Sequence, residues 1–388
     1  MKSRLKPFLL LLPFIGLSAH AEPDSRDMEQ LLAKSLQAVS DNRLDVALNE
    51  VDSLLKINPN FKLAQLVKGD LLLARSRSIT AFGDAPNAPQ DRVQDLREEA
   101  QVRLQRAQQQ QPVAVPRYLW RLNSKQQHVV VVDTSKSTLY LYENVDGEPR
   151  YVADFYISMG KKGADKVVEG DQKTPLGVYF VDSYIPQAKL ADLYGSGAYP
   201  ISYPNEWDKR QGRNGHGIWL HGTPSDTYSR PPRASNGCVV LSNTDLRRLG
   251  RNIEVGTTPV IITNGIDWLS ESDSTERDTL LHSIEQWRND WESRDTERYL
   301  NHYAQDFSTG NATRTAFAEQ KRLVNTGKSW IKVKIENLSL FSYPTQPDLV
   351  VVDFEQNYDS NNLSNRMHKR QYWQKRDGQW QIVYEGAA

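Results

Sequence analysis

The chain has 388 residues, 48 basic against 48 acidic side chains, and a single cysteine. That length holds two or three domains. The balanced charge gives no global basic excess, which argues against nucleic acid as a partner. One cysteine forbids an internal disulfide and leaves stability to packing.

Taken in chain order, Lys2, Arg4 and Lys6 precede an apolar run from Phe8 to Leu17, and Ala19-His20-Ala21 offers a small-residue cleavage site. Residues 1–21 therefore read as a signal peptide and the compartment as periplasmic. The run is too short for a membrane-spanning helix, and no later segment is apolar enough to replace it, so no transmembrane segment is expected after cleavage. Loss of three cations (48 − 3 = 45 against 48) leaves the mature chain at about −3.

Residues 22–115 read as a helical segment. Leu44, Ala47, Leu48, Val51, Leu54 and Leu55 recur at helical spacing, Asn58-Pro59-Asn60 breaks the run, and Leu63, Leu66, Val67 and Leu71 begin another stripe. The placement of Ala47, Pro59 and Gly69 resembles one tetratricopeptide unit running into the next. Residues 82–89 are a loop. The Gln-rich, charged stretch from Asp91 to Gln111 is a helix with a thin apolar stripe, read either as a solvated connector or as a docking or dimer helix.

From His128 the period changes. Val129–Asp133, Leu139–Tyr142, Val152–Met159, Gly177–Val181 and Val260–Thr263 are short strands punctuated by Gly, Asp and Pro, so residues 118–265 read as a mainly-β domain. Beyond residue 272 the pattern changes again. Ile284, Trp287, Trp291, Tyr299, Tyr303 and Phe307 are expected to line a long broken helix. Ile331, Val333 and Ile335 alternate, as do Val350, Val352 and Phe354, and Asp377-Gly378 tips a hairpin. Residues 272–388 therefore read as a compact α+β domain. The chain as a whole is expected to be multidomain: α-helical, then mainly β, then α+β.

Cys238 follows Ser235-Asn236-Gly237, a polar turn that can expose sulfur beside backbone N–H groups. Seventeen residues upstream lies His221. A thiol nucleophile needs such a base, and the pair points to acyl transfer. On this reading an imidazolium at His221 stabilises the thiolate and later delivers a proton to a leaving amine. The N–H groups of Gly237 and Cys238 are candidate oxyanion donors. His216 falls on the other side of the strand from His221 and reads as a pocket-edge or surface residue. Tyr203 sits in the aromatic, proline-rich stretch 199–205, which either walls a cleft or packs on its own rings. Arg230 and Arg233 lie between His221 and Cys238 as candidate cations. No zinc spacing, His-Glu-x-x-His string or phosphate-binding glycine loop occurs, so neither metal nor cofactor is expected.

Three ordered pieces carry a family resemblance. Thr174-Pro175-Leu176-Gly177, His221-Gly222 and Ser235-Asn236-Gly237-Cys238 resemble the conserved segments of YkuD L,D-transpeptidase catalytic domains. The resemblance implies that Cys238 attacks a peptidoglycan stem peptide, that His221 is the base, and that the Gly222 carbonyl holds the ring. It places Asn236, Ser235, Tyr203, Arg233 and His216 as candidate substrate contacts. Asn236 stands where the family commonly has His, and Val240 where it commonly has an Arg that orders the site or holds a substrate carboxylate. Residues from about 275 to 384 resemble the cone-shaped nuclear transport factor and SnoaL type, which offers a pocket for a wall or envelope protein. The three-part arrangement resembles a group that includes the cell-shape L,D-carboxypeptidases. Transpeptidation is the first expectation, carboxypeptidation the second, attachment or release of an envelope protein a third, and a non-catalytic wall-binding module the rival class.

Overall fold

The computed structural model describes residues 25–84, 88–310 and 312–388. The reading of 1–21 as a signal peptide lies outside them, as does part of the loop 82–89. Among the described residues no helix is long and apolar enough to cross a membrane.

Helices Ser25–Ser40, Leu44–Ile57, Lys62–Leu73 and Gln90–Gln108 form the N-terminal part. Their apolar stripes meet in a core of Met28, Leu32, Ala47, Val51, Leu54, Phe61 and Val67. One further member of that core, Tyr228, comes from the mainly-β region. The charged fourth helix buries Glu99 and Arg103, at 1% and 4% exposure. It is therefore a docking helix, and it docks onto its own chain.

The mainly-β region has two principal sheets. Five strands lie in the order Glu148–Tyr156, Thr138–Val145, His128–Asp133, Pro259–Thr263, Gly177–Phe180. Four more lie in the order Val239–Val240, Trp219–His221, Gly197–Pro200, Ile185–Pro186. Val130, Val132, Leu139 and Phe155 of the first sheet pack against Leu220, Val239, Leu241 and Ile201 on or beside the second. Val129 and Val131 point the other way, into a core shared with Phe341, Leu349, Val351 and Tyr372 of the C-terminal region. The unbroken apolar run at 129–132 reflects this burial on both faces.

The C-terminal region is a seven-stranded curved sheet with helices Glu271–Ser293, Thr296–Asn301 and Arg314–Thr326. Its edge strand, Leu119–Arg121, falls inside the 118–265 stretch expected to be the mainly-β domain, yet it pairs with Ile331–Tyr343 of the C-terminal sheet. The two regions thus share both a core and a strand. The helix expected to run on through Tyr303 and Phe307 stops earlier. Arg294 (φ 65°) breaks it, and Tyr303–Thr309 is a strand pairing in parallel with Gln379–Ala387. The His302 carbonyl accepts the Ile382 N–H at 2.8 Å, so sheet bonding overrides helical periodicity there. The hairpin tip Asp377-Gly378 has positive φ at both residues (49° and 79°), as a type I′ turn requires.

Candidate active site

His221 ends a strand whose neighbour carries Val239 and Val240 directly after Cys238. The two strands run parallel, with Val239 opposite Leu220 and Val240 opposite His221. Leu220 and Val239 are fully buried, so the apolar residues fix the register of the two strands. Cys238 is half-buried, with Sγ 3.3 Å from the Gly217 carbonyl. His221 is 3% exposed. Its Nδ1 lies 2.7 Å from the Gly222 carbonyl, which fixes the tautomer with hydrogen on Nδ1 and leaves Nε2 as the basic nitrogen.

Gly222 has a steric reason to be glycine. A Cβ there would meet Asn243 Oδ1 at 2.1 Å. That Asn243 oxygen accepts the Ser196 N–H at 2.8 Å, and its Nδ2 donates to the Thr223 carbonyl at 2.8 Å. Gly237 is constrained in the same way: φ is 129°, and a Cβ would lie 2.8 Å from the Lys173 carbonyl. Thr174 Oγ1 donates to the Gly237 carbonyl at 3.0 Å and accepts the Gly160 N–H at 3.0 Å. The Thr-Pro-Leu-Gly segment is therefore a strut behind the Ser235–Cys238 turn.

Two polar details differ from the sequence reading. Burial pushes the His221 imidazole down to about 4, with the charge of Arg230 acting in the same direction and the Gly222 hydrogen bond opposing it. Burial pushes the Cys238 thiol up, opposed by the Trp219 N–H and by the charges of Arg230 and Lys166. Both shifts favour the neutral thiol and the neutral imidazole over the thiolate and imidazolium expected from the sequence. The Gly237 N–H already donates to Ser235 Oγ at 3.1 Å, and that hydroxyl donates to the Cys238 carbonyl at 2.6 Å. Of the two expected oxyanion donors, Gly237 is thus engaged in the resting turn.

The expected substrate contacts separate. Asn236 is exposed on the rim, where its Oδ1 accepts from Gln172 Nε2 at 3.4 Å. His216 is exposed too, 3.7 Å from Glu169. Arg233 is exposed on the short strand Arg233–Ser235. Ser235 is buried as an internal brace of the turn. Tyr203 is a core residue: it is 6% exposed, packs edge-on against Tyr179, and donates to the Asn214 carbonyl at 2.9 Å. Both Ser235 and Tyr203 have their hydroxyls engaged inside the protein in this structure.

Residues the sequence did not single out pack around His221 and Cys238. Tyr194 sits edge-on to His221, with ring centroids 5.1 Å apart, and tilts against Trp219 at 4.8 Å. The Tyr194 carbonyl accepts the Gly222 N–H at 3.0 Å. Tyr194 ends the single 3-10 turn Asp192–Tyr194, too short to leave a periodic signal, so only the fold brings it beside His221. Lys166, also buried, is held by Asp171 at 2.8 Å. Among the described residues no group of histidine, cysteine and carboxylate side chains could hold a metal ion.

In the C-terminal region Trp287, Trp291, Tyr372 and Trp373 are buried core, whereas Trp330 is 47% exposed. A cavity of about 420 Å³ opens beside Trp291, with Lys321, Lys369 and Glu385 in its lining. Lys369 and Glu385 pair at 2.5 Å, and burial lowers Lys321 to about 8.

Residues 127–262 match the L,D-transpeptidase catalytic domain (YkuD), and residues 279–386 match the Cds6 C-terminal NTF2-like domain. Among solved structures, Bd1075 of Bdellovibrio bacteriovorus is similar at 28% identity and a TM-score of 0.62, over 71% of this chain and 98% of that one. The helical cell shape determining protein Pgp2 of Campylobacter jejuni is similar at 26% identity and a TM-score of 0.60, over 69% of this chain and 94% of that one. No curated protein matches the chain. The chain carries a YkuD L,D-transpeptidase catalytic domain joined to a C-terminal NTF2-like domain.

Proposed function

We propose that the protein is a periplasmic cysteine acyltransferase that removes the terminal D-residue from tetrapeptide stems of peptidoglycan. The observation that carries this reading is that Cys238 directly precedes the strand Val239–Val240, which pairs in parallel with the strand ending at His221, whose Nδ1 is tied to the Gly222 carbonyl. Nε2 takes the thiol proton as Sγ bonds to the carbonyl carbon of the third stem residue. The tetrahedral oxyanion is met by the Cys238 N–H, and by the Gly237 N–H once the Ser235 hydroxyl yields. The C–N bond then breaks, Nε2 gives the proton to the leaving amine, and a thioester remains on Cys238. Water releases a tripeptide; a stem amine gives a 3-3 cross-link.

Hydrolysis is favoured by the likeness of most of the chain to a cell shape determining protein. Cross-linking is the second reading, favoured by the description of the matched catalytic domain as an L,D-transpeptidase. The charged cone cavity is the place on the C-terminal domain for a wall or envelope ligand. Mass spectrometry of purified disaccharide-tetrapeptide incubated with residues 22–388 separates the outcomes. Loss of one alanine without a dimer is expected. A dimer one alanine lighter than two monomers would establish cross-linking instead, and no product would turn attention to a protein acceptor or a wall-binding role.

A further inference from the structure

The segment between His221 and Cys238 is gripped by the helical domain. The Tyr228 N–H donates to the Asn60 carbonyl at 3.2 Å, and Lys62 Nζ to Thr227 Oγ1 at 3.1 Å. The Tyr228 ring lies 4.5 Å from Phe61, and Ser229 Oγ donates to Glu99 at 2.6 Å, both groups buried. The next residue is Arg230. Its carbonyl accepts from Tyr156 Oη at 2.9 Å, and two prolines, Pro231 and Pro232, stiffen the chain immediately after it. The backbone of Arg230 is therefore fixed from both sides.

Its side chain is half-buried, with Nη2 3.3 Å from the Leu193 carbonyl, next to the Tyr194 whose ring abuts His221. Among the described residues no carboxylate lies within ion-pair distance of it. Two other arginines of the catalytic domain do have carboxylate partners: Arg213 pairs with Asp165 and Arg210 with Asp306. A guanidinium has five N–H donors in a planar fork that suits a carboxylate, and leaving it half-buried without an anion is costly. The charge of Arg230 is felt at both the thiol and the imidazole, which agrees with its position at the cleft. The competing cations are unsuited: Lys166 is spent on Asp171, Arg233 is exposed, and Val240 is an apolar core residue.

We infer that Arg230 binds the terminal carboxylate of the donor peptide, and that Glu99 and Phe61 of the helical domain act as positioning residues for it. This rests on the stem-peptide reading above. The carboxylate belongs to the residue that leaves, so it lies one residue from the attacked carbonyl, beside Sγ. The helical domain thereby supplies, through the 223–230 segment, the cation that Val240 does not.

The test compares a disaccharide-tetrapeptide ending in a free carboxylate with the same molecule ending in a carboxamide. A charge-assisted bond of about 1.5–3 kcal/mol corresponds to a preference of roughly 10- to 150-fold for the acid, carried mainly in KM. Arg230→Gln is expected to erase that preference, Arg230→Lys to keep part of it, and Glu99→Gln to reduce it. A merely structural role for these residues would lower Tm without moving the acid-to-amide ratio. An undiminished preference in Arg230→Gln, or none in the wild type, overturns the inference. A wild type that turns over neither substrate overturns the stem-peptide reading along with it, which distinguishes the two failures.

Discussion

Replacing His221 with alanine is expected to lower kcat/KM on a tetrapeptide stem by about 100- to 10,000-fold, the usual contribution of a positioned acid–base group. The expectation is specific because burial disfavours the Cys238 thiolate. Burial holds Cys238 above the ordinary thiol range and His221 down at about 4, so the proton must move during reaction rather than before it. Two measurements check this. The acid limb of kcat/KM is expected near pH 4 rather than near the free-imidazole value of about 6.5. Alkylation of Cys238 by iodoacetamide without substrate is expected to be slow at neutral pH and to rise only in the alkaline range. A preformed thiolate–imidazolium pair would instead give rapid alkylation on a plateau extending to acid pH. The sign for stability is the same: the unfolded imidazole takes up a proton below about 6.5 that the folded one accepts only near 4. Folding stability from this group is thus lost as pH falls through that window and is unaffected above it.

The second large effect is expected far from the thiol. Arg103→Ala should destabilise the protein by about 3–5 kcal/mol, because it leaves Glu99 as an uncompensated buried carboxylate. Arg103 pairs with both Glu99 and Glu29, and its guanidinium lies 3.9 Å from the Tyr156 ring centroid and 5.0 Å from that of Phe61. It therefore ties the helical domain to the catalytic domain through charge and aromatic faces together. The double substitution Arg103→Met with Glu99→Gln removes both charges at similar volume and should recover most of the lost Tm. A silent single substitution would show that the interface is open to water. Deletion of the helical domain is expected to cost activity even on soluble muropeptides, since it would release the 223–230 segment.

The Ser235–Cys238 turn was legible because its demands are local. Gly237 is dictated by its φ and by the Lys173 carbonyl, Gly222 by the approach of Asn243, and both glycines stand beside the reactive residue in sequence. The three-part architecture was legible because the apolar period changes twice. What was not legible depends on partners distant in sequence. Tyr203 looks like a cleft wall until Tyr179 and the Asn214 carbonyl enclose it. Leu119–Arg121 gives no sign that its partner strand begins at Ile331. Glu99 and Arg103 on a Gln-rich helix resemble a solvated i,i+4 pair, and only the docked Tyr228 segment shows that they are buried. Tyr303 keeps helical spacing with Tyr299, yet its backbone bonds go to the sheet.

Intact-protein mass spectrometry of residues 22–388, acid-quenched during turnover of disaccharide-tetrapeptide, tests the central claim most directly. The expected result is an adduct of one disaccharide-tripeptide acyl group on the wild-type chain, mapped to Cys238 and absent from Cys238→Ala. Continued turnover without an adduct, or an adduct that persists in Cys238→Ala, would contradict a Cys238 thioester.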